Sequence, residues 1–240
     1  MLVAENVCKS FGSLRAVAGV SLEVHPGQIY GVAGPNGSGK STLFNALTAI
    51  PYRADSGRIL FDSRPIERMP AHRICQLGLV RTFQKDAEFE RLTARQNVRV
   101  GAVFGGRERG DLDARVGAAL EFVGFDPARA DRPVRELSVF NKKQLMIASA
   151  LAARPRLLMM DEPASGLTKP EVDELAGLVR RINATGVAVL LIEHVLPLLL
   201  SVSQRLMVLN YGQTLAEGEP QEVIKNPAVV EAYLGKRGQA

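Results

Sequence analysis

Nine consecutive residues, Gly34-Pro35-Asn36-Gly37-Ser38-Gly39-Lys40-Ser41-Thr42, have the types and spacing of a phosphate cradle. They match G-x-x-x-x-G-K-[ST] without a gap. Glycines let the backbone curl so that successive N–H groups point at phosphate oxygens, and a following helix adds the positive end of its dipole. In that geometry Lys40 reaches the β- and γ-phosphates, and the Ser41 hydroxyl ligates Mg²⁺. Asp161 and Glu162 come directly after the apolar run Leu157-Leu158-Met159-Met160. An aspartate there suits Mg²⁺, directly or through water, opposite Ser41, and the glutamate beside it can polarise the water that attacks a γ-phosphorus. His194 follows a second apolar run and can contact the γ-phosphate. Phe11 beside Gly12 offers a π-face to a purine ring. Gln84, at the end of a short strand, can orient a water or sit on Mg²⁺.

The flanking sequence supplies the elements these residues need. Residues 29–33 are an apolar run of strand length, and Leu43, Phe44 and Leu47 recur at helical spacing after the glycine-rich turn. Short strands are expected at 2–8, 20–24, 58–61 and 79–83, with a brief helix at 71–77 stopped by Gly78. From 93 to 153 the pattern turns helical, with one apolar face over 112–123 and a polar, glycine-rich loop at 105–110. The second half alternates strands at 157–160, 187–192, 205–209 and 213–217 with helices at 171–183, 220–225 and 228–234. Alternation of this kind implies an α/β fold with a mostly parallel sheet and ligands at the C-terminal ends of its strands. The glycine-rich loop, Asp161-Glu162 and His194 all follow such strands, so they are expected to converge.

Composition narrows the function classes. A chain of 240 residues with 46% hydrophobic and 23% charged residues is ordinary for a globular protein of one large domain or two lobes. Cys8 and Cys75 are far apart in sequence, which suggests a reducing compartment and no metal-ligand spacing. The net charge of +5 suits an anionic ligand or surface, but with no Trp and 5% aromatics there is little to stack single-stranded nucleic acid. No basic-then-apolar signal segment is visible at the N-terminus, and the most apolar stretch, 187–200, is cut by Glu193, His194 and Pro197. A guanine-specific GTPase needs an N-K-x-D tetrad. The nearest string, Asn141-Lys142-Lys143-Gln144, ends in the wrong residue.

Taken in order, Phe11, residues 34–42, Gln84, Leu137-Ser138, Asp161-Glu162, Ser165-Gly166-Leu167 and His194 resemble the ATP-binding-cassette (ABC) ATPases over essentially the whole chain. Arg81-Thr82-Phe83-Gln84, Leu191-Ile192-Glu193-His194, Leu209-Asn210-Tyr211-Gly212 and Ala232-Tyr233-Leu234-Gly235 look like the ATPase subunits of branched-chain amino acid importers, with urea-import and lipopolysaccharide-export ATPases as close relatives. The resemblance implies a P-loop ATPase with an antiparallel β region near its N-terminus, a core at 1–84 and 154–240, and an inserted helical lobe at 85–153. It implies ATP and Mg²⁺ as ligands, Phe11 on adenine, residues 34–42 on the phosphates, and Ser41, Gln84 and Asp161 around Mg²⁺. Glu162 is then the base and His194 the γ-phosphate sensor. Integral membrane permease subunits are the implied partners, at the cytoplasmic face of the inner membrane, with no nucleic acid.

Two such subunits are expected to sandwich two ATP molecules, each closed over by the other's L-S-G-G-Q signature. Here the matching residues are Leu137-Ser138-Val139-Phe140-Asn141. Ser138 remains, whereas both glycines and the glutamine are gone, and Phe140 adds bulk where the partner's γ-phosphate should lie. Thr168 replaces the usual Asp or Asn of the dimer-contact loop, and Val195 replaces the usual Asp after the histidine. What the chain offers its own nucleotide is intact, and what it offers across a dimer is altered. That asymmetry suggests a heterodimer with an unaltered second subunit, with a homodimer as the alternative. A non-hydrolysing regulatory subunit and a cassette ATPase without a transporter are the rival readings.

Overall fold

The computed structural model describes residues 1–83, 88–105 and 110–234. Two antiparallel strands open the chain, β1 (Leu2–Phe11) and β2 (Leu14–Val24), turning at Gly12 with φ 59°. After β3 (Ile29–Ala33) and helix α1 (Lys40–Thr48) come β4 (Ser56–Phe61) and the short β5 (Arg64–Pro65). Helix α2 (Ala71–Gln76) leads into β6 (Leu79–Arg81). Helices α3 (Ala94–Gly105), α4 (Leu112–Phe122) and α5 (Val139–Ala152) then pack together. The chain resumes with β7 (Leu157–Asp161), α6 (Lys169–Ala184), β8 (Ala188–Ile192) and α7 (Leu196–Val202). It closes with β9 (Arg205–Asn210), β10 (Gln213–Gly218), α8 (Pro220–Val223) and α9 (Pro227–Leu234).

The strands form two sheets. One, in the order β2-β1-β4-β5, is antiparallel throughout. The other, β10-β9-β3-β8-β7-β6, is parallel except for β10 at its edge. Its inner strands are apolar without interruption because both faces are covered. Leu158 and Met160 of β7 face a core shared with the helices, whereas Leu157 and Met159 join the core under the antiparallel sheet and α1. Val189 and Leu191 of β8 divide from Leu190 and Ile192 in the same way. The pleat thus sends alternate residues of one apolar run into two cores.

Several sequence expectations need adjusting. Strand β2 begins six residues before the expected 20–24 segment, because pairing with β1 extends from Leu2↔Val24 out to Phe11↔Leu14. Strand β6 stops at Arg81, two residues short of Phe83, where the ladder to β7 ends. Helix α3 runs on to Gly105, the first residue of the expected loop, and 106–109 of that loop lie outside the described residues. Helix α7 is not expected from the sequence pattern, in which Pro197 interrupts an apolar stretch. The proline stands in the first turn, where its missing N–H costs nothing. No helix among the described residues is long and apolar enough to cross a membrane.

Candidate functional site

The turn after β3 is built around glycines that no other residue could replace. Gly34 has φ 146°, and a Cβ there would lie 2.3 Å from the Leu209 carbonyl oxygen. Gly39 has φ 102°, and its Cβ would lie 2.4 Å from the carbonyl oxygen of Ala16. The loop is therefore pinned between β9 and β2. Helix α1 starts immediately at Lys40 with no side-chain cap at Gly39, so its first-turn N–H groups face outward as anion donors. Lys40 is buried, and its Nζ donates to the carbonyls of Gly34 (2.8 Å) and Pro35 (3.0 Å) and reaches Ser38 Oγ at 3.4 Å. Burial pushes the ammonium below the ordinary lysine range, and the carboxylates of Glu162 and Asp161 oppose that shift. A cation held on weak neutral acceptors beside two acids is one that a phosphate would stabilise further.

A cleft of about 650 Å³ opens over this loop. Asn36, Gly37, Ser38, Gly39, Lys40, Ser41 and Thr42 form its floor, and Phe11, Tyr211 and Glu162 stand among its walls. Phe11 is 45% exposed, and its ring meets Tyr52 edge-on with centroids 5.0 Å apart. Lys9 Nζ lies 5.4 Å from both ring centroids. Pro35, expected in the cradle, lines the neighbouring cavity toward α9 and contributes its carbonyl to Lys40.

The two acidic residues diverge. Asp161 closes β7 and is buried, with Oδ2 accepting from Arg81 Nη2 at 2.6 Å and Oδ1 buried without a hydrogen-bond partner. An unpaired carboxylate oxygen in such a place fits a divalent cation as its partner. No group of three or more His, Cys, Asp or Glu among the described residues could hold a metal alone, so Ser41 and phosphate oxygens would have to complete the set. Glu162 turns back toward the cleft with φ 47°, its N–H bound to the carbonyl of Ile192 at 3.0 Å. His194 is half-exposed, with Nδ1 3.9 Å from Glu162 Oε2. Lys40, Asp161, Glu162 and His194 thus converge, as their positions after parallel strands led us to expect. Gln84 lies outside the described residues.

The signature region is held differently from its expected role. Ser138 caps α5, its Oγ accepting from the Asn141 N–H at 3.2 Å, and Arg129 donates to Asn141 Oδ1 at 2.6 Å. Val139 is 53% exposed, whereas Phe140 is half-buried. The apolar bulk at this surface therefore comes more from Val139 than from Phe140.

Among the buried charged side chains to which the sequence pattern assigns no role, Arg81, Lys143 and Glu193 stand near the site. Arg81 pairs with Asp161. Lys143 of α5 is buried within electrostatic reach of Glu88, Glu193, Glu162 and Asp161, and Glu193 is wholly buried beneath His194. The sequence signal of Arg81 and Glu193 is a charge at the end of an apolar strand, which is equally the pattern of a solvated strand end, whereas Lys143 stands in a polar stretch of α5 that gives no signal.

A family model described as ABC transporter matches residues 17–165, and one described as branched-chain amino acid ATP-binding cassette transporter matches 213–238. The high-affinity branched-chain amino acid transport ATP-binding protein BraF of Pseudomonas aeruginosa is 37% identical, over 98% of both chains. LivG of Escherichia coli strain K12, with the same description, is 35% identical over 98% of each. Among solved structures, a nucleotide-free ATP-binding cassette from an ABC transporter superposes with TM-score 0.91 at 32% identity, covering 98% of this chain and 99% of that one. The ADP conformation of such a cassette gives 0.89 at 32% identity with the same coverage.

Proposed function

This chain belongs to the ATP-binding-cassette transporter family, and from that premise we propose that it is the ATP-hydrolysing subunit of an importer for branched-chain amino acids. The observation that carries the ATPase reading is the convergence of Lys40 and Glu162 on a cleft whose floor is the glycine-rich loop, with His194 beside Glu162. Backbone N–H groups of residues 36–42 and the Lys40 ammonium hold the phosphates, and Phe11 receives adenine. Ser41 and Asp161 Oδ1 would hold Mg²⁺, which would supply neutralisation of the phosphate charge. Glu162 takes the proton of the attacking water, a contribution of about 10²–10⁴-fold. His194, 3.9 Å from Glu162, donates to the γ-phosphate and registers its presence.

The substrate assignment rests on the relatives' names and on the match of residues 213–238, since the transported molecule would be bound by other subunits. A groove of about 300 Å³ beside the helical lobe, lined in part by Cys75, Phe83, Phe89 and Phe104, suits an apolar segment of a membrane permease. Phe89 and Phe104 are exposed there, which supports attachment at the cytoplasmic face of the membrane. Gln84, which follows the groove residue Phe83 in sequence, would link docking to the nucleotide.

A specific observation favours a heterodimer over a homodimer. Val139 projects where the family has glycine, and Asn141 is tied to Arg129 and Ser138, so this signature cannot bring its backbone close to a partner's phosphate. One competent site would then form from this chain's loop and a different subunit's signature. The test is Mg-ATP binding and turnover by the purified chain beside Lys40→Ala. Binding lost in the variant, with turnover far below the 1–100 s⁻¹ or so of phosphoryl-transfer enzymes, is expected. Brisk turnover by the chain alone would refute the heterodimer, and no binding would refute the ATPase.

A further inference from the structure

Glu193 directly precedes the half-exposed His194, yet it has 0% exposure. Three backbone N–H groups converge on its carboxylate. Oε1 accepts from Ala164 at 2.6 Å, and Oε2 accepts from His194 at 3.2 Å and from Val195 at 3.5 Å. Ala164 belongs to the loop after β7, two residues beyond Glu162. His194 and Val195 belong to the loop after β8. A single side chain therefore ties together the two loops that carry the base and the phosphate sensor. The main chain adds one bond to the same joint, Glu162 N–H to the Ile192 carbonyl at 3.0 Å, and anchors Glu193 to β3 through its N–H on the Val32 carbonyl at 3.2 Å.

We propose that Glu193 is a positioning residue for hydrolysis, holding the His194 ring and the Glu162 carboxylate against the same phosphate. The proposal rests on the ATPase reading above. Glu162 sits at φ 47°, in the left-handed region that a glutamate leaves unless its surroundings over-determine it. Its N–H bond and the Glu193 tie at Ala164 bracket that residue on both sides. His194 Nδ1 stands 3.9 Å from Glu162 Oε2 and 3.9 Å from Glu193 Oε2, so the ring is balanced between the working carboxylate and the buried one. A wholly buried carboxyl is costly unless donors surround it, and here burial does push it above the ordinary glutamate range against the pull of those N–H groups and His194.

The chain has three histidines, so His194 can be followed by ring NMR, with His25 and His72 as internal controls and His194→Ala for assignment. In the wild-type chain, Mg²⁺ with a non-hydrolysable ATP analogue should shift the His194 resonance. Glu193→Gln and Glu193→Ala should move that resonance in the nucleotide-free protein and remove the nucleotide-induced shift, leaving His25 and His72 in place. Nucleotide affinity should stay within a few-fold of wild type. In the assembled transporter kcat should fall on the order of 10²-fold, the effect of misplacing a reacting group by about 1 Å, with KM nearly unchanged. A His194 resonance indifferent to Glu193→Gln, with unchanged kcat, overturns the proposal. Should both variants fail to fold, the wild-type Ala164 amide decides: slow hydrogen exchange is expected, and fast exchange overturns it. A wild-type His194 that ignores the nucleotide, with Lys40→Ala also silent in binding, would instead refute the ATPase reading.

Discussion

Arg81 Nη2 stands 2.6 Å from Asp161 Oδ2, and both side chains are almost wholly buried, at 6% and 4% exposure. The same guanidinium donates to Asn45 Oδ1 at 2.7 Å and lies over the rings of Phe44 and Phe83. Asn45 in turn donates to the Tyr52 hydroxyl at 2.8 Å, and Tyr52 meets Phe11. A continuous run of contacts therefore joins the carboxylate proposed for Mg²⁺ to the ring proposed for adenine. Arg81 also lines the groove beside the helical lobe.

Breaking this pair from one side should be severe. Arg81→Met leaves the Asp161 charge buried and uncompensated, which costs about 3–5 kcal/mol in comparable sites. Urea unfolding of Arg81→Met, Asp161→Asn and the double variant measures it. The double variant should lose less than the sum of the two single losses. Additive losses would mean that the two side chains do not interact.

Asp161 Oδ1 is a buried carboxylate oxygen without a hydrogen-bond partner, and its loss should be felt only when Mg²⁺ is present. Asp161→Asn is expected to bind ATP in EDTA about as weakly as wild type does in EDTA, while losing most of the gain in affinity that Mg²⁺ gives the wild type. Fluorescent-nucleotide titrations with and without Mg²⁺ check this. An undiminished Mg²⁺ effect in the variant would place the metal elsewhere.

The site was legible in the sequence where chemistry and local geometry coincide. Residues 34–42 need only a strand before them and a helix after, both written in the adjacent apolar pattern, and Asp161, Glu162 and His194 each follow a continuous apolar strand. What stayed hidden depends on contacts between distant segments. Arg81 looks like a strand-end charge until β6 is laid beside β7 and α1 is packed over it, 36 residues from Asn45. Glu193 looks like a solvated acid until the loop 29 residues upstream supplies an N–H. The early start of β2 was equally invisible, because residues 14–19 are strand only by pairing with β1.

Glu193 also sets a pH dependence with a definite sign. Burial raises its carboxyl above the ordinary value of 4.5, outweighing the amides of Ala164, Val195 and His194 and the nearby His194 ring. Among the described residues Lys143 is also in electrostatic reach, and Glu162 shares the His194 ring with Glu193. A carboxyl whose folded pKa exceeds its unfolded one takes up a proton on folding. Its stabilising contribution is complete below the unfolded value and is lost as pH rises through the folded value. Relative to Glu193→Gln, which cannot titrate, the wild type should therefore gain stability as pH falls from 7 toward 5. Urea midpoints of the two proteins across that range give the difference, and a flat difference would contradict the raised carboxyl.

The altered signature yields the sharpest functional contrast. Val139 is exposed and near the chain's own loop after β7, where even a Cβ added at Gly166 would only just reach its Cγ1, at 3.6 Å. Asn141 is engaged by Arg129 and by Ser138 Oγ, which keeps the start of α5 turned inward on its own contacts. Val139→Gly, Phe140→Gly and Asn141→Gln together remove the bulk and restore a side chain long enough to reach across. Two glycines in the first turn of a helix cost up to about 2 kcal/mol, which should appear as a modest loss in thermal stability. Against that loss, the purified triple variant should hydrolyse ATP at least tenfold faster than the unmodified chain, with a rate that rises with the square of protein concentration at low concentration. Lys40→Ala in the same background should abolish the gain. A triple variant that binds Mg-ATP normally but gains no turnover would show that the block to self-pairing lies outside the signature, and Thr168 and Val195 would be the next positions to exchange.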